Sequence, residues 1–249
     1  PAPVDQRLER ASKVVDSAVD AGAQLIVLPE LFNIGYTYSE ENYANAETES
    51  GKTVTWMKQA ASNKQVYITG SLLLREQDHV YNTAYLFAPD GQMWRYDKHY
   101  PFLWERAYFR EGNHITVAET ELGKLGLMIC WDSAHPELWE RYAGNVDAML
   151  IVSCPPMFNK AQLVFPDGQQ LPPSRGSSHF ADGGIHEQAK WMHIPVVHSS
   201  GHGTFESSLP VPSATVAWSA IYEPDMFFDV MQQASNVKLE AKFGYHTQI

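Results

Sequence analysis

Three residues of this chain have the chemistry of a hydrolytic site. Cys130 can act as a nucleophile, Glu30 as a base and Lys98 as a fixed positive charge. Each follows a strand-like run. Glu30 comes directly after Leu25-Ile26-Val27-Leu28-Pro29, Lys98 after Met93-Trp94-Arg95-Tyr96-Asp97, and Cys130 after Leu125-Gly126-Leu127-Met128-Ile129. Strand ends at a sheet rim are where α/β folds build their sites. A cysteine attacks as its thiolate, so it needs a base, which a nearby carboxylate supplies. A nearby ammonium stabilises both the thiolate and the oxyanion formed after attack. Taken singly, each residue has a plainer reading: a small buried hydrophobe, a solvated turn glutamate, and a surface lysine at a strand end outside the core. The second cysteine, Cys154, lies in Ser153-Cys154-Pro155-Pro156 without partners of this kind.

The elements that must position these residues follow from periodicity. Val4, Leu8, Ala11, Val15, Ala18 and Val19 fall at helical spacing, with Asp5 as a cap and Gly22 as a stop. Residues 23–28 have the length of a buried strand, and 54–61 fit a second helix. Residues 66–74, 81–88 and 92–97 read as an antiparallel meander, with Pro89-Asp90-Gly91 as a turn. Strands over 115–118 and 124–129 precede a helix over 136–142, whose Pro136 suits a first turn. A buried strand covers 147–152. Residues 158–180 are rich in Pro, Gly and Ser and read as a long surface loop. A helix over 184–192 and strands over 194–199 and 214–219 follow. The tail after Glu223 is poorly patterned. Meander and crossover connections together predict a layered α/β fold with mixed sheets. No repeat or linker divides the chain, so residues 1–249 read as a single domain.

Composition narrows the function. Of 249 residues, 44% are hydrophobic and 19% charged, which supports a large core and argues against disorder. A formal net charge of −11 repels phosphate backbones and anionic lipid, so neither nucleic acid nor a membrane is an expected partner. No apolar run approaches the ~20 residues of a membrane span. Two cysteines make no disulfide framework, which suits a reducing, cytoplasmic setting. His198 and His202 are spaced for a metal only on a helix, which Gly201 and Gly203 oppose, and no carboxylate or cysteine completes a site. No metal is therefore expected. No signal peptide is visible, and the chain starts at Pro1 without a methionine, so its N-terminus is expected to be incomplete.

The segments around the three residues resemble the nitrilase superfamily of carbon–nitrogen hydrolases. Gly22-Ala23-Gln24-Leu25-Ile26-Val27-Leu28-Pro29-Glu30-Leu31-Phe32 is similar to that family's strand-plus-glutamate motif, with Glu30 at the catalytic base. Tyr96-Asp97-Lys98-His99, followed by Glu105, Phe109, Glu111 and Gly112, puts Lys98 at the catalytic lysine and Glu105 at a second pocket glutamate. Gly126-Leu127-Met128-Ile129-Cys130-Trp131-Asp132, then Pro136-Glu137, puts Cys130 at the nucleophile. The resemblance covers residues 4–156 in order. The family's strand before the first helix is absent here. His198-Ser199-Ser200-Gly201-His202-Gly203 stands where the family often has an Asn and a Gly, and a later Gly-x-Ser pattern survives only as Glu206-Ser207-Ser208. Asp132 stands where nitrilases in the strict sense often show Glu.

This resemblance implies a four-layer α-β-β-α sandwich in one domain, with its N-terminal strand missing, paired into a homodimer or a larger homo-oligomer. It implies an amidase that releases ammonia or an amine from a small linear amide through a thioester, with no cofactor. Glu30 would be the base, and Lys98 and the Trp131 backbone N–H would hold the oxyanion. Glu105 would orient Lys98 or the attacking species by hydrogen bonding. Trp131, Tyr36, Trp104 and Phe158 are candidates for pocket walls and equally for core aromatics. Three alternatives stay open: a nitrilase working through a thioimidate, an acyl- or amidotransferase, and an idle scaffold. The complete Glu-Lys-Cys set argues against the last.

Overall fold

In the computed structural model the helical spacing near the N-terminus forms α1 (Val4–Asp20). Its end is a Schellman cap: the Ala23 and Gly22 N–H groups donate to the carbonyls of Ala18 (2.9 Å) and Val19 (2.8 Å). Gly22 sits at φ 88, where glycine has no Cβ to clash. Asp5 is not the cap expected of it. It lies inside the first turn and pairs with Lys52 at 3.0 Å.

The chain continues through β1 (Leu25–Val27), α2 (Glu41–Asn45), α3 (Lys52–Lys64), β2 (Tyr67–Glu76), β3 (His79–Phe87) and β4 (Met93–Asp97). It then forms β5 (Val117–Thr120), β6 (Gly123–Ile129), α4 (Pro136–Tyr142), β7 (Ala148–Ser153), β8 (Gln162–Val164), β9 (Gln170–Leu171), α5 (Phe180–Met192), β10 (Val196–Ser200), β11 (Gly203–Ser208) and β12 (Thr215–Ala220). The structure describes residues 3–36, 40–154, 162–164, 170–171, 180–201, 203–208 and 215–220. The poorly patterned tail, Phe158 and His202 lie outside them.

Two four-stranded sheets make the core. The first has the order β1-β2-β3-β4, with β1 parallel to β2 and the rest the expected meander. The second has the order β10-β7-β6-β5, parallel except for β5. Both sheets are covered on both faces, which is why β2, β6 and β7 read as nearly continuous apolar runs. Tyr67, Leu86 and Tyr96 of the first sheet pack against Leu125, Leu127, Ile129 and Val152 of the second. The outer face of the first sheet holds α1 and α3 through Leu8, Ala11, Val15, Val54, Met57 and Ala61. The outer face of the second holds α4 and α5 through Leu138, Trp139, Tyr142, Ile185 and Ala189, which meet Met128, Met149 and Ile151. Burying each large side chain of this kind contributes roughly 1.5–3 kcal/mol. The result is the four-layer α-β-β-α sandwich that the sequence implied.

A second expectation fails. Residues 158–180 are not a single loop, because β8 and β9 lie within them. They join β12 and the unexpected β11 in a third, antiparallel sheet of order β11-β12-β8-β9. Strands of three and two residues are too short for an alternation signal, and the surrounding Pro, Gly and Ser mask them.

Candidate active site

The first sheet delivers Glu30 to the second. After β1, the Leu28 N–H still donates to the Thr69 carbonyl at 2.7 Å, and Pro29 then ends the ladder. The Glu30 N–H crosses to the Ser153 carbonyl at the end of β7, at 3.3 Å. Leu31 turns the chain at φ 49, and its N–H is taken by the Ser71 hydroxyl at 3.0 Å.

Lys98 follows β4. Its N–H donates to the Asn82 carbonyl at 2.9 Å, and its own carbonyl accepts from Gly112 at 2.8 Å. Gly112 fits there because any Cβ would collide with the Asp97 carbonyl. Cys130 ends β6 and opens a 3-10 helix, Cys130–Ala134, at φ 47. That left-handed conformation is costly for a residue with a side chain.

These segments assemble a buried ion cluster. The Lys98 ammonium donates to Glu30 Oε1 at 2.9 Å and to Glu105 Oε1 and Oε2 at 3.0 and 2.8 Å. All three side chains are essentially closed to solvent, with relative exposures of 1% for Lys98 and 0% for Glu30 and Glu105. Lys98 is therefore not the surface lysine outside the core that its local sequence suggests. Asn82 Nδ2 donates to Glu30 Oε1 at 2.8 Å, and the Cys154 N–H donates to Glu30 Oε2 at 2.8 Å. Glu105 also caps its own 3-10 helix, Leu103–Ala107, by accepting the Phe102 N–H at 2.6 Å, and the Tyr36 hydroxyl donates to its Oε1.

The electrostatics follow from this burial. Desolvation alone penalises the Lys98 charge, but Glu105 and then Glu30 more than offset it and hold the ammonium well above its usual range. Burial raises the Glu105 carboxyl; Lys98 draws it down and Glu30 pushes it up again, with a net upward direction. The Cys130 thiol is pushed well above its usual value by burial and then by Glu30, while Lys98 pulls the other way and the Cys154 backbone hydrogen-bonds to the sulfur. At neutral pH the sulfur therefore carries its proton, beside a carboxylate able to take it. Cys154 is buried more completely, at 4% exposure against a half-buried Cys130, and its thiol is pushed up to about 12.

The structure thus brings together Glu30, Lys98, Glu105 and Cys130. Tyr36 reaches the same cluster through Glu105. Trp131 follows Cys130 and packs against Phe102, centroid to centroid at 4.6 Å, with an edge contact to His135 at 5.9 Å. The side chain of Trp104 lies outside the described residues, as does Phe158. Asn82 and the Cys154 N–H were missed. Asn82 carried a signal, as a polar residue inside an apolar strand; a backbone N–H carries none. Among the described residues, no group of three His, Cys, Asp or Glu could hold a metal, and no helix is long and apolar enough to cross a membrane.

A family model described as carbon-nitrogen hydrolase matches residues 2–176. The chain belongs to the carbon-nitrogen hydrolase family. Among relatives, it is 34% identical over 137 residues to a nitrilase of Pyrococcus abyssi, covering 53% of this chain and 52% of that one. It is 31% identical over 157 residues to an omega-amidase of Xenopus laevis, covering 58% and 56%. The chain spans about half the length of the relatives it matches. A carbon-nitrogen hydrolase from Helicobacter pylori shares the fold with a TM-score of 0.69 at 21% identity, over 82% of this chain and 71% of that one.

Proposed function

We propose that this carbon-nitrogen hydrolase is a cysteine-dependent amidase that cleaves small linear amides, with Glu30, Lys98 and Cys130 as its reacting groups. The observation that carries the reading is the buried Lys98 ammonium shared by Glu30 and Glu105 next to a half-buried thiol. Such a charge cluster is costly to bury and adds little stability, so a role in chemistry accounts for it better than a role in folding.

The steps follow from the contacts. Glu30 Oε1 already accepts from Lys98 and Asn82, and Oε2 from the Cys154 N–H. One lone-pair site remains, on Oε2, so Oε2 is the oxygen that takes the Cys130 proton. As the proton leaves, Sγ bonds to the amide carbon and the carbonyl electron pair moves to oxygen. Lys98 Nζ, turning one N–H from Glu105, and the Trp131 N–H hold that oxyanion. The intermediate collapses, the carbon–nitrogen bond breaks, and Glu30 passes its proton to the leaving nitrogen. Ammonia or an amine departs from a thioester. Water, deprotonated by Glu30, then releases the acid and restores the thiol. No step requires a cofactor. Hydrolysis of a nitrile and acyl transfer would use the same thiol and differ in their products. A reducing compartment such as the cytoplasm would keep both thiols free. A single domain paired into a homo-oligomer belongs to the same proposal.

The test is a screen of short amides, carbamoyl compounds and nitriles for ammonia and acid, run beside limited iodoacetamide labelling and mass mapping. Cys130 should be alkylated first, in step with loss of activity. Preferential labelling of Cys154 with activity retained would overturn the proposal.

Glu105 holds Lys98 and is not the base. Glu105→Gln places an amide N–H₂ against donors on either side: Lys98 and a Tyr36 hydroxyl that can rotate on one oxygen, Lys98 and the Phe102 N–H on the other, so Lys98 loses an acceptor whichever way the amide turns. Loss of such a charged hydrogen bond costs about 1.5–3 kcal/mol. Displacement of the ammonium should slow turnover about 10- to 100-fold, while Cys130 still forms an acyl adduct detectable by mass. A full-rate Glu105→Gln enzyme would reduce Glu105 to a packing residue.

A further inference from the structure

The carboxylate of Asp132 is fully buried, two residues past Cys130 in the same 3-10 helix, and is not one of the reacting groups assigned above. It accepts four hydrogen bonds, enough to fill its lone-pair sites. Oδ2 takes the Ile129 N–H at 3.1 Å and the Tyr96 hydroxyl at 2.7 Å. Oδ1 takes the His99 and Tyr100 N–H groups at 3.1 and 2.9 Å. Ile129 immediately precedes Cys130, His99 immediately follows Lys98, and Tyr96 lies two residues before it. The first bond is the one an acid at the third position of a short helix makes to its cap. The other three reach the segment that carries the ammonium.

We propose that Asp132 is a positioning residue, whose carboxylate ties the chain on both sides of Lys98 to the chain entering Cys130 and so fixes the ammonium relative to the sulfur. The proposal rests on the reading of Lys98 and Cys130 as reacting groups. Two backbone segments from opposite sheets share one acceptor here, and neither set of N–H groups can turn away. β4 ends in the first sheet and β6 in the second, and the Lys98 backbone is otherwise held only to its own neighbours, Asn82 and Gly112, among the described residues. Without Asp132 the Lys98 and Cys130 segments lose their shared acceptor, and misplacing a reacting group by about 1 Å can cost about 10²-fold in rate.

Asp132→Asn breaks the tie without changing its size. An amide N–H₂ on the Oδ1 side would face two backbone N–H groups. On the Oδ2 side it would face the Ile129 N–H and a hydroxyl that can rotate. Whichever way it turns, at least one backbone donor loses its acceptor. Cys130 faces Glu30, Lys98, Glu105 and the Cys154 backbone, and Asp132 faces Lys98, Tyr96, His99, Tyr100 and Tyr142, with Arg141 beside His99.

The experiment follows alkylation of Cys130 by iodoacetamide across pH, read by mass mapping on the full chain, with amide kinetics and melts beside it. Lys98 is the cation that draws the thiol down, so its displacement raises the thiol further. Below the transition a tenfold smaller thiolate fraction makes alkylation about tenfold slower at a given pH. We expect that slowing in Asp132→Asn, and a fall in kcat of about 10²-fold with KM little changed. A merely loosened fold would expose Cys130 and speed its alkylation, and deletion of a negative charge alone would also speed it. An unchanged or faster rate therefore overturns the proposal. Tyr96→Phe removes one bond to Oδ2 and keeps the ring in the core, so it serves if Asp132→Asn fails to fold. It should slow alkylation in the same direction by less, and an unaltered rate there overturns the proposal as well. Alkylation does not depend on turnover. If Cys130→Ala were fully active, the amidase reading would fall while the tether was still decided by the alkylation rates.

Discussion

Lys98→Met will lose both turnover and stability. The methionine roughly keeps the stem volume but removes the charge proposed to face the oxyanion. Loss of one such partner lowers kcat by about 10²–10³. The same change leaves Glu30 and Glu105 buried side by side with no cation between them. Breaking a buried ion pair by removing one member costs about 3–5 kcal/mol. A chain of this size loses about 2–4 °C in Tm per kcal/mol. The deficit should depend on pH. The Glu105 carboxyl is already raised by burial, and without Lys98 it rises further. A carboxyl raised in the folded state is most costly above its folded value, and the cost vanishes below the ordinary value near about 4.3. The melting gap between wild type and Lys98→Met should therefore narrow on acidification. A variant that melts like wild type and keeps more than about a tenth of the rate would remove Lys98 from the site.

Cys130→Ala should abolish turnover, with a fall of about 10⁶-fold, the scale on which nucleophile deletions act. Cys130→Gly should be equally inactive, and the informative comparison is between their melts. Glycine is ordinarily about 0.5–1 kcal/mol worse than alanine within regular structure. At φ 47, a residue with a Cβ pays roughly 1–2 kcal/mol for the left-handed conformation. The glycine variant should therefore melt no lower than the alanine variant. If it melts clearly lower, the nucleophile's turn stores no strain. Either variant retaining turnover would refute the assignment of Cys130.

Glu30, Lys98 and Cys130 were legible because each stands just beyond a patterned strand, and because their local motifs occur together and in order. The two-sheet core was legible for the same reason: alternation and apolar runs are local signals. Burial of Lys98 was not. Tyr96-Asp97-Lys98-His99 reads as surface, and only the arrival of Glu30 and Glu105 from distant segments makes the interior tolerable for an ammonium. The Cys154 N–H escaped notice because every residue but proline has one, so its aim at Glu30 depends on tertiary placement alone. Asp132 was noted only as a departure from a motif, because its partners lie in a segment more than thirty residues away. Of the third sheet, β12 was expected over 214–219, while β8 and β9 are too short to show a period.

The donors that surround Glu30 also set when a site can exist during folding. They lie 52, 68 and 124 residues away in the chain, at Asn82, Lys98 and Cys154. Closing a longer loop costs only slightly more entropy, about 0.6 kcal/mol for each doubling, but contacts of such separation form late. In a chain that has not yet folded, Cys130 therefore lacks its base and its burial until segments this far apart meet. Until then the thiol is an ordinary one, neither shielded by burial nor beside the Glu30 carboxylate. Cys130 is at its most vulnerable to stray oxidation or alkylation then, and the closing of β7 against β1 ends that exposure as it completes the ion cluster.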